Sequence, residues 1–345
     1  MPALAGRWQA VGMLHLRLIV PAGLSDDVLG FLEGDAAVTN IVVLPGAGRE
    51  PAGDVILCDV AREGASGVLQ CLRELRVDKV GSIAMESVDV SLSEAARQAS
   101  KAAPGHGVDA VVWEEVEART HEEATLSVTY LIFMTVAIMI AGVGVVFDQP
   151  ILIVGAMVVG PEFGPLAGLC VALIQRRLQP AARSLVALLV GFPVGMVGTV
   201  LLTWLMTWWE LMSRDLLLAD RPLTEFIWQP DATSWIVGFL AGIAGMLSLT
   251  SSKSGALVGV LISVTTVPAA ANAAVAVAYG VWDEAWGSAV QLGLNLSAIV
   301  VAGTLTLILQ RLWWSRRSMH APRTPVALAV ARRAAARRRA EKRER

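Results

Sequence analysis

Two hydrophobic rhythms divide this chain. Between residues 12 and 89 apolar positions alternate with polar ones or recur every three to four residues in short stretches, the mark of a small α+β unit. Leu14, Leu16 and Leu18 alternate with His15 and Arg17 and predict a first strand. The Ser25 hydroxyl can accept the orphan amides of a first helical turn, which starts a helix ending near Glu33. Strands follow over 38–44 and 54–60, then a helix over 66–75 and a strand over 80–89. The order βαββαβ matches a ferredoxin-like sandwich, here expected as a regulatory domain over 1–90. By fold analogy alone, such a domain binds a small ligand or pairs edge to edge. Pro45-Gly46-Ala47-Gly48 reads as a plain β-turn between two strands. Residues 91–125 read as a helical linker, with a helix over 92–103, a break at Pro104-Gly105-His106-Gly107 and an amphipathic helix over 108–123.

From residue 126 the rhythm changes to almost continuous apolar runs, at 126–147, 151–174, 184–209, 234–249, 255–281 and 285–312. Most exceed the roughly 20 residues needed to cross about 30 Å of hydrocarbon, so six transmembrane helices are expected over 126–314. Two halves of this region read alike. Ala141-Gly142-Val143 matches Ala241-Gly242-Ile243, and Gly155-Ala156-Met157-Val158 matches Gly255-Ala256-Leu257-Val258, at an offset of 100 residues. Gly198-Thr199 followed by Trp208-Trp209 matches Gly303-Thr304 followed by Trp313-Trp314, at an offset of 105. With three runs in each half, the second half must cross the bilayer in the opposite sense, an inverted 3+3 repeat. The expected fold is therefore mostly α, a six-helix bundle behind a small α+β domain.

Composition and charge agree. The 345 residues are 55% hydrophobic and 17% charged, with a mean hydropathy of +0.59, too apolar for a soluble domain of this size. No cleavable signal is evident at the N-terminus. Arg176, Arg177, Arg183, Lys253 and the Arg-rich tail lie in connections on one side, whereas Asp148, Glu210, Asp215, Asp220, Glu225, Asp231, Asp283 and Glu284 lie on the other. Positive charge stays inside, which sets both termini in the cytoplasm of a bacterial inner membrane. Trp208, Trp209, Trp228, Trp235, Trp282 and Trp286 would form an outer interfacial belt, with Trp313 and Trp314 at the inner one. The basic tail over 315–345 is expected to meet anionic lipid, at about 1 kcal/mol per charge near the surface, rather than nucleic acid. Cys58, Cys71 and Cys170 lack metal or disulfide spacing, and His15, His106 and His121 lack partners at ligand spacing. No cofactor or metal is implied.

The strongest candidate chemistry lies in the second run, at Gly160-Pro161-Glu162-Phe163-Gly164-Pro165. Each proline lacks an amide hydrogen and clashes with the carbonyl four residues back, so the helix must kink or unwind. In hydrocarbon, freed backbone groups survive only when buried in protein or lining a wet cavity. Glu162 falls at the middle of the run, where a carboxylate costs about 2.5 to 3.5 kcal/mol and must face the bundle interior, take a proton or hold a cation. The fifth run repeats the break at Pro268, with Thr265 and Thr266 before it and Asn272 after it. Antiparallel broken helices would set freed carbonyls and half-helix dipoles around one central site. Asn295, opposite Pro193 in the repeat, is a weaker candidate. Gly191 with Gly195, and Gly238 with Gly242, read as close-packing pairs.

Gly155-Ala156-Met157, Pro161 and Gly164-Pro165 resemble the signature of the bacterial uncharacterised hydrophobic domain family, the domain of unknown function numbered 389. Gly255-Ala256 through Pro268-Ala269-Ala270 resembles its second stretch. The resemblance covers about 126–314 and implies a multi-spanning inner-membrane protein. The chain departs from that pattern at Glu162, where the family more often carries an apolar residue, making Glu162 a subgroup feature. A transporter or channel for a small solute or ion is expected, with a membrane-anchored sensor or scaffold as the alternative. No Ser/His/Asp set or HExxH segment points to an enzyme. Expected partners are the bilayer, an unidentified solute or ion and a second copy of the chain.

Overall fold

A computed structural model describes residues 12–88, 91, 93–103, 111–229, 231–251 and 265–318, with the side chains of 314–318 excepted. The chain forms two compact units, one built mainly from the first 114 residues and the other from Glu115 to Leu312.

In the first unit, β1 (Met13–Val20), α1 (Ala22–Glu33), β2 (Val38–Arg49), β3 (Ala52–Ala61), α2 (Arg62–Glu74), α3 (Val77–Val80) and β4 (Ser82–Val88) follow one another. The strands make one antiparallel sheet in the order β2-β3-β1-β4. Alternation decides the inward face: Leu14, Leu16, Leu18 and Val20 of β1 join Ile56, Cys58 and Val60 of β3. Val28, Phe31 and Leu32 of α1 and Val68, Leu69 and Leu72 of α2 close over them. Each such side chain, fully buried, stabilises by about 1.5 to 3 kcal/mol.

Two local expectations change. Ser25 is not a cap, because α1 begins earlier, after Pro21. Its buried hydroxyl donates to Asp54 Oδ2 at 2.5 Å. Pro45-Gly46-Ala47-Gly48 is not the turn, because β2 continues through it to Arg49. The Gly46 amide donates to Asp54 Oδ1 at 2.8 Å, which holds that arm against β3. These two bonds, Ser25 first, keep the Asp54 carboxyl below its usual range. On the neighbouring strand pair, His15 Nδ1 lies 2.8 Å from Asp59 Oδ1.

The first unit also extends past residue 90. Ser93 caps α4 (Glu94–Ala102) by accepting the Ala96 amide. Ala96 and Ala103 pack with Met13, Ala37 and Ala61, and Val112 enters the main core. The break expected at Pro104 to Gly107 lies outside the described residues.

The second unit holds most of α5 (Trp113–Glu123), then α6 (Val128–Val146), α7 (Pro150–Val159), α8 (Phe163–Gln175), α9 (Leu178–Trp208), α10 (Arg214–Leu218), α11 (Ala232–Thr250), α12 (Thr266–Tyr279) and α13 (Trp282–Ser318). Four of these, α6, α9, α11 and α13, are long and apolar enough to cross a membrane. The pair α7 and α8, bent by 51°, counts as a fifth crossing when taken together. The chain is thus a membrane-spanning protein by length and hydropathy. The expected six crossings include 255–281, of which 255–264 lies outside the described residues, as do Lys253 and the tail from 319. What is described there is α12, of 14 residues.

Small residues set the helix contacts. A side-chain carbon on Gly191 would come within 2.8 Å of the Tyr130 ring, and one on Gly195 within 2.6 Å of Ile138, so α9 lies close on α6. Likewise Gly242 lies under Ala302 and the Ile299 carbonyl, bringing α11 against α13. Exposed Trp208, Trp209, Trp282, Trp286 and Trp313 ring the ends of these helices. The acidic segment between α9 and α11 is more than a connection. It turns back into the bundle, burying Leu217, Thr224 and Ile227, with Asp148 accepting from the Thr224 hydroxyl at 2.9 Å.

Candidate functional site

Helix α7 ends at Gly160, whose amide still donates to Ala156 at 3.0 Å. Pro161 cannot donate onward, so the axis breaks there and α8 restarts at Phe163. Pro165 falls in the first turn of α8, where the missing amide hydrogen has no intrahelical acceptor to serve. Pro268 holds the same place in α12, which begins at Thr266. Among the described residues the fifth run therefore shows a helix start two residues before Pro268, and the stretch 255–264 that would complete the expected break lies outside them.

The structure brings the break at Pro161 together with the start of α12. Thr266 Oγ1 donates to Glu162 Oε1 at 3.0 Å, across 104 residues of sequence. Glu162 is 3% exposed, and its Oε2 has no hydrogen-bond partner among the described residues. That oxygen folds back over Gly160, where an added side-chain carbon would lie 2.4 Å from it. A larger residue there would push the Glu162 carboxylate out of this position. Both α8 and α12 begin beside the carboxylate, so two helix N-termini favour negative charge at this point. Ile153 and Met157 of α7 cluster with Ala269 of α12, and Val146, at the end of α6, clusters with Val275 and Ala276. Helix α7 thus runs toward the Pro161 break while α12 runs away beside it.

The remaining candidates separate. Thr265 Oγ1 accepts from Asn295 Nδ2 at 2.9 Å, so Thr265 turns toward α13. Asn272 lies farther along α12, donating to Ser288 Oγ at 2.7 Å and accepting from Arg221 Nη1 at 3.4 Å. Gly164 faces Glu123, whose Cβ would lie 2.5 Å from a side-chain carbon there. It is a packing position rather than part of the polar site.

Sequence reading missed Arg221, Glu284, Ser288 and Gln291. Arg221 Nη2 donates to Glu284 Oε1 at 2.5 Å, and this ion pair is buried. Gln291 is fully buried, with neither amide atom partnered among the described residues. Glu284, Ser288, Gln291 and Asn295 follow one another at steps of four, three and four, a signal available in the sequence had α13 been projected as a helix. Among the described residues no group of His, Cys, Asp and Glu is arranged to hold a metal ion.

Residues 157–301 match the family described as a domain of unknown function, DUF389, a stretch running from the end of α7 into α13. An uncharacterized protein of Methanocaldococcus jannaschii is 23% identical over 211 residues, 60% of this chain. The match spans 63% of that relative's own length. No solved structure matches the chain.

Proposed function

We propose that this protein is a transporter or channel for a small solute or ion, with its central site at Glu162, Thr266 and Gly160. The observation that carries the reading is the Glu162 to Thr266 bond, which joins the Pro161 break to the start of α12 and leaves one carboxylate oxygen without a partner among the described residues in an apolar bundle. A carboxylate is retained at such depth where it handles a proton, an ion or a polar solute. An inverted 3+3 repeat of six helices accounts for the internal sequence match. It is supported by the recurrence of one contact: the first and third helices of each half meet at glycine, α6 with α9 and α11 with α13.

In this reading the bilayer is a bacterial inner membrane with both termini cytoplasmic, following the Arg176, Arg177 and Arg183 side of the bundle. The basic tail rests on anionic lipid. The first unit is a ferredoxin-like regulatory domain, supported by its βαββαβ order, its β2-β3-β1-β4 sheet and two helices sharing one core with it. The protein is not an enzyme in this reading.

The test is flux in liposomes holding purified protein, over a panel of inorganic ions and small neutral and charged solutes. Protein-dependent flux of at least one of them is expected. Glu162→Gln should lower it by about tenfold or more, the effect of losing one charged ligand worth about 1.4 kcal/mol. Equal flux in the variant removes Glu162 from the site, and no flux across the panel removes transport.

A further inference from the structure

A buried polar stripe leads away from Glu162. At about 100° per residue, Glu284, Ser288, Gln291 and Asn295 fall within a sector of roughly 60° on α13 and span about 16 Å along it. All four are buried. Asn295 bonds Thr265, and Ser288 bonds Asn272. The seven-residue step from Thr265 to Asn272 equals that from Ser288 to Asn295 taken in reverse, so α12 and α13 are antiparallel with Ala269 level with Gln291. Alanine there leaves the Gln291 level without a long side chain from α12. Thr265 precedes Thr266, which bonds Glu162. At the far end, Arg221 and Glu284 line a cavity of about 440 Å³ together with Asp220, Glu225 and Asp283.

We propose that this stripe is the route by which a small cation, a proton or an alkali-metal ion, passes between the cavity and Glu162, and that Arg221 plugs its mouth. The proposal rests on the transport reading and names the substrate class of the same site. Four carboxylates face one guanidinium in the cavity, and a carboxylate waits at the inner end, so the field draws cations and repels anions along the whole path. Between them lie hydroxyl and amide oxygens, the hard ligands that replace the water around a small cation. If the stripe only tied two helices together, each of its groups would be bonded. The Asn295 and Asn272 bonds serve that purpose, but both amide atoms of Gln291 and Oε2 of Glu162 have no partner among the described residues. A buried polar group left unsatisfied is costly, so these mark positions that an occupant satisfies in use. Arg221 reaches Glu284 and Asn272 at once, placing a fixed positive charge in the mouth. Passage requires it to swing toward Asp220, Glu225 or Asp283.

The experiment uses the full chain in liposomes, with Cys58, Cys71 and Cys170 replaced by alanine and Gln291→Cys introduced. Membrane-impermeant methanethiosulfonates of matched size, one carrying a trimethylammonium and one a sulfonate, report access. The cationic reagent should label Cys at 291 at least about tenfold faster, in line with the focusing of counter-ions by a charged cleft. Arg221→Gln should speed that labelling further. Equal or anion-favouring rates overturn the route, as does absence of labelling in the Arg221→Gln background. Gln291→Leu guards against a folding defect: with unchanged elution and thermal midpoint, cation flux should fall about tenfold or more, as for the loss of one ligand, and unchanged flux overturns the proposal. Trapped pH and sodium dyes under a potassium diffusion potential separate the two sources, a proton moving the first dye alone and an alkali ion the second. Glu162-dependent flux with residue 291 closed to both reagents sinks the route and leaves transport standing. Cation-selective labelling with no flux in any preparation sinks transport and leaves a cation-filled branch ending at Glu162.

Discussion

At the scale of single residues, burial acts on Cys58 and Gln291 in opposite ways. Cys58 faces the first unit's core from β3 and is fully buried. Burial, with the Asp59 carboxylate beside it, pushes its thiol up to about 12. Because the folded value exceeds the unfolded one, the fold carries no penalty below the ordinary thiol value of 9.0 and loses stability as pH rises from there toward about 12. Cys58→Val, which keeps the position apolar and removes the ionisable group, should therefore unfold less readily than the native chain at about pH 10.5, by roughly 2 kcal/mol at about 1.4 kcal/mol per unit. Near neutral pH the difference should fall within about 0.5 kcal/mol. Denaturant titration at the two pH values decides it, and a variant gaining nothing at alkaline pH would put Cys58 outside the core. Gln291, by contrast, carries no ionisable group and stays polar at every pH, so no change of pH relieves its burial. That difference explains what was legible. Glu162 and Thr266 stood out because a lone acid and a pair of hydroxyls flanked proline breaks in apolar runs, whereas Gln291 had no breaker beside it and merged into a hydrophobic helix.

At the scale of elements, the glycine pattern of the sequence separates packing from chemistry once neighbours are known. Gly155 belonged to the repeat and opened the family signature, yet a side-chain carbon there would meet nothing within 4 Å. Gly242 occupies a matching half and would meet Ala302 Cβ at 2.9 Å and the Ile299 carbonyl at 2.9 Å. A flexible side-chain end can move, but backbone cannot. Gly242→Ala should therefore force α11 from α13 and destabilise the bundle by about 1 to 3 kcal/mol, while Gly155→Ala stays within about 0.5 kcal/mol of the native chain. Thermal midpoints of the two variants in detergent give the comparison, and equal midpoints would contradict the α11 to α13 contact. Element identity was readable from period alone for the strands and the long helices. Element role was not readable for the segment between α9 and α11, because five acids in a stretch of that length look like an exposed loop. Its inward turn depends on Asp148 gripping Thr224 and on Gly287 admitting the Trp228 carbonyl, where a side-chain carbon would lie at 2.2 Å. Neither partner is near in sequence, so no local pattern could announce them. Glu284 was hidden for a related reason: counted as a loop charge, it sits in the first turn of α13 and pairs with an arginine 63 residues earlier.

At the scale of the molecule, each unit has its own apolar core, the first around β1 and β3 and the second around α6, α9 and α12. Separate cores mean that the polar route from the cavity to Glu162 is built wholly within the second unit, from Arg221, Asn272, Glu284, Gln291 and Asn295. Transport, if it resides there, survives loss of the first unit, whereas a sensor that needs its front domain does not. Where the cut is made matters. Removal of residues 1–90 takes away the sheet but leaves α4, whose Ala96 and Ala99 are buried, and Val112, which belongs to the sheet's core. Such a stump exposes apolar surface and invites aggregation. A cut after Glu114 follows the boundary of the compact unit. The shorter protein lacking 1–114 is expected to elute as a single species and to retain Glu162-dependent flux within about tenfold of the full chain, a span of about 1.4 kcal/mol in the barrier. The form lacking only 1–90 should yield less folded material. If instead the protein cut after Glu114 folds but carries no flux, the front unit is part of the working mechanism, and the second unit acts as its membrane relay.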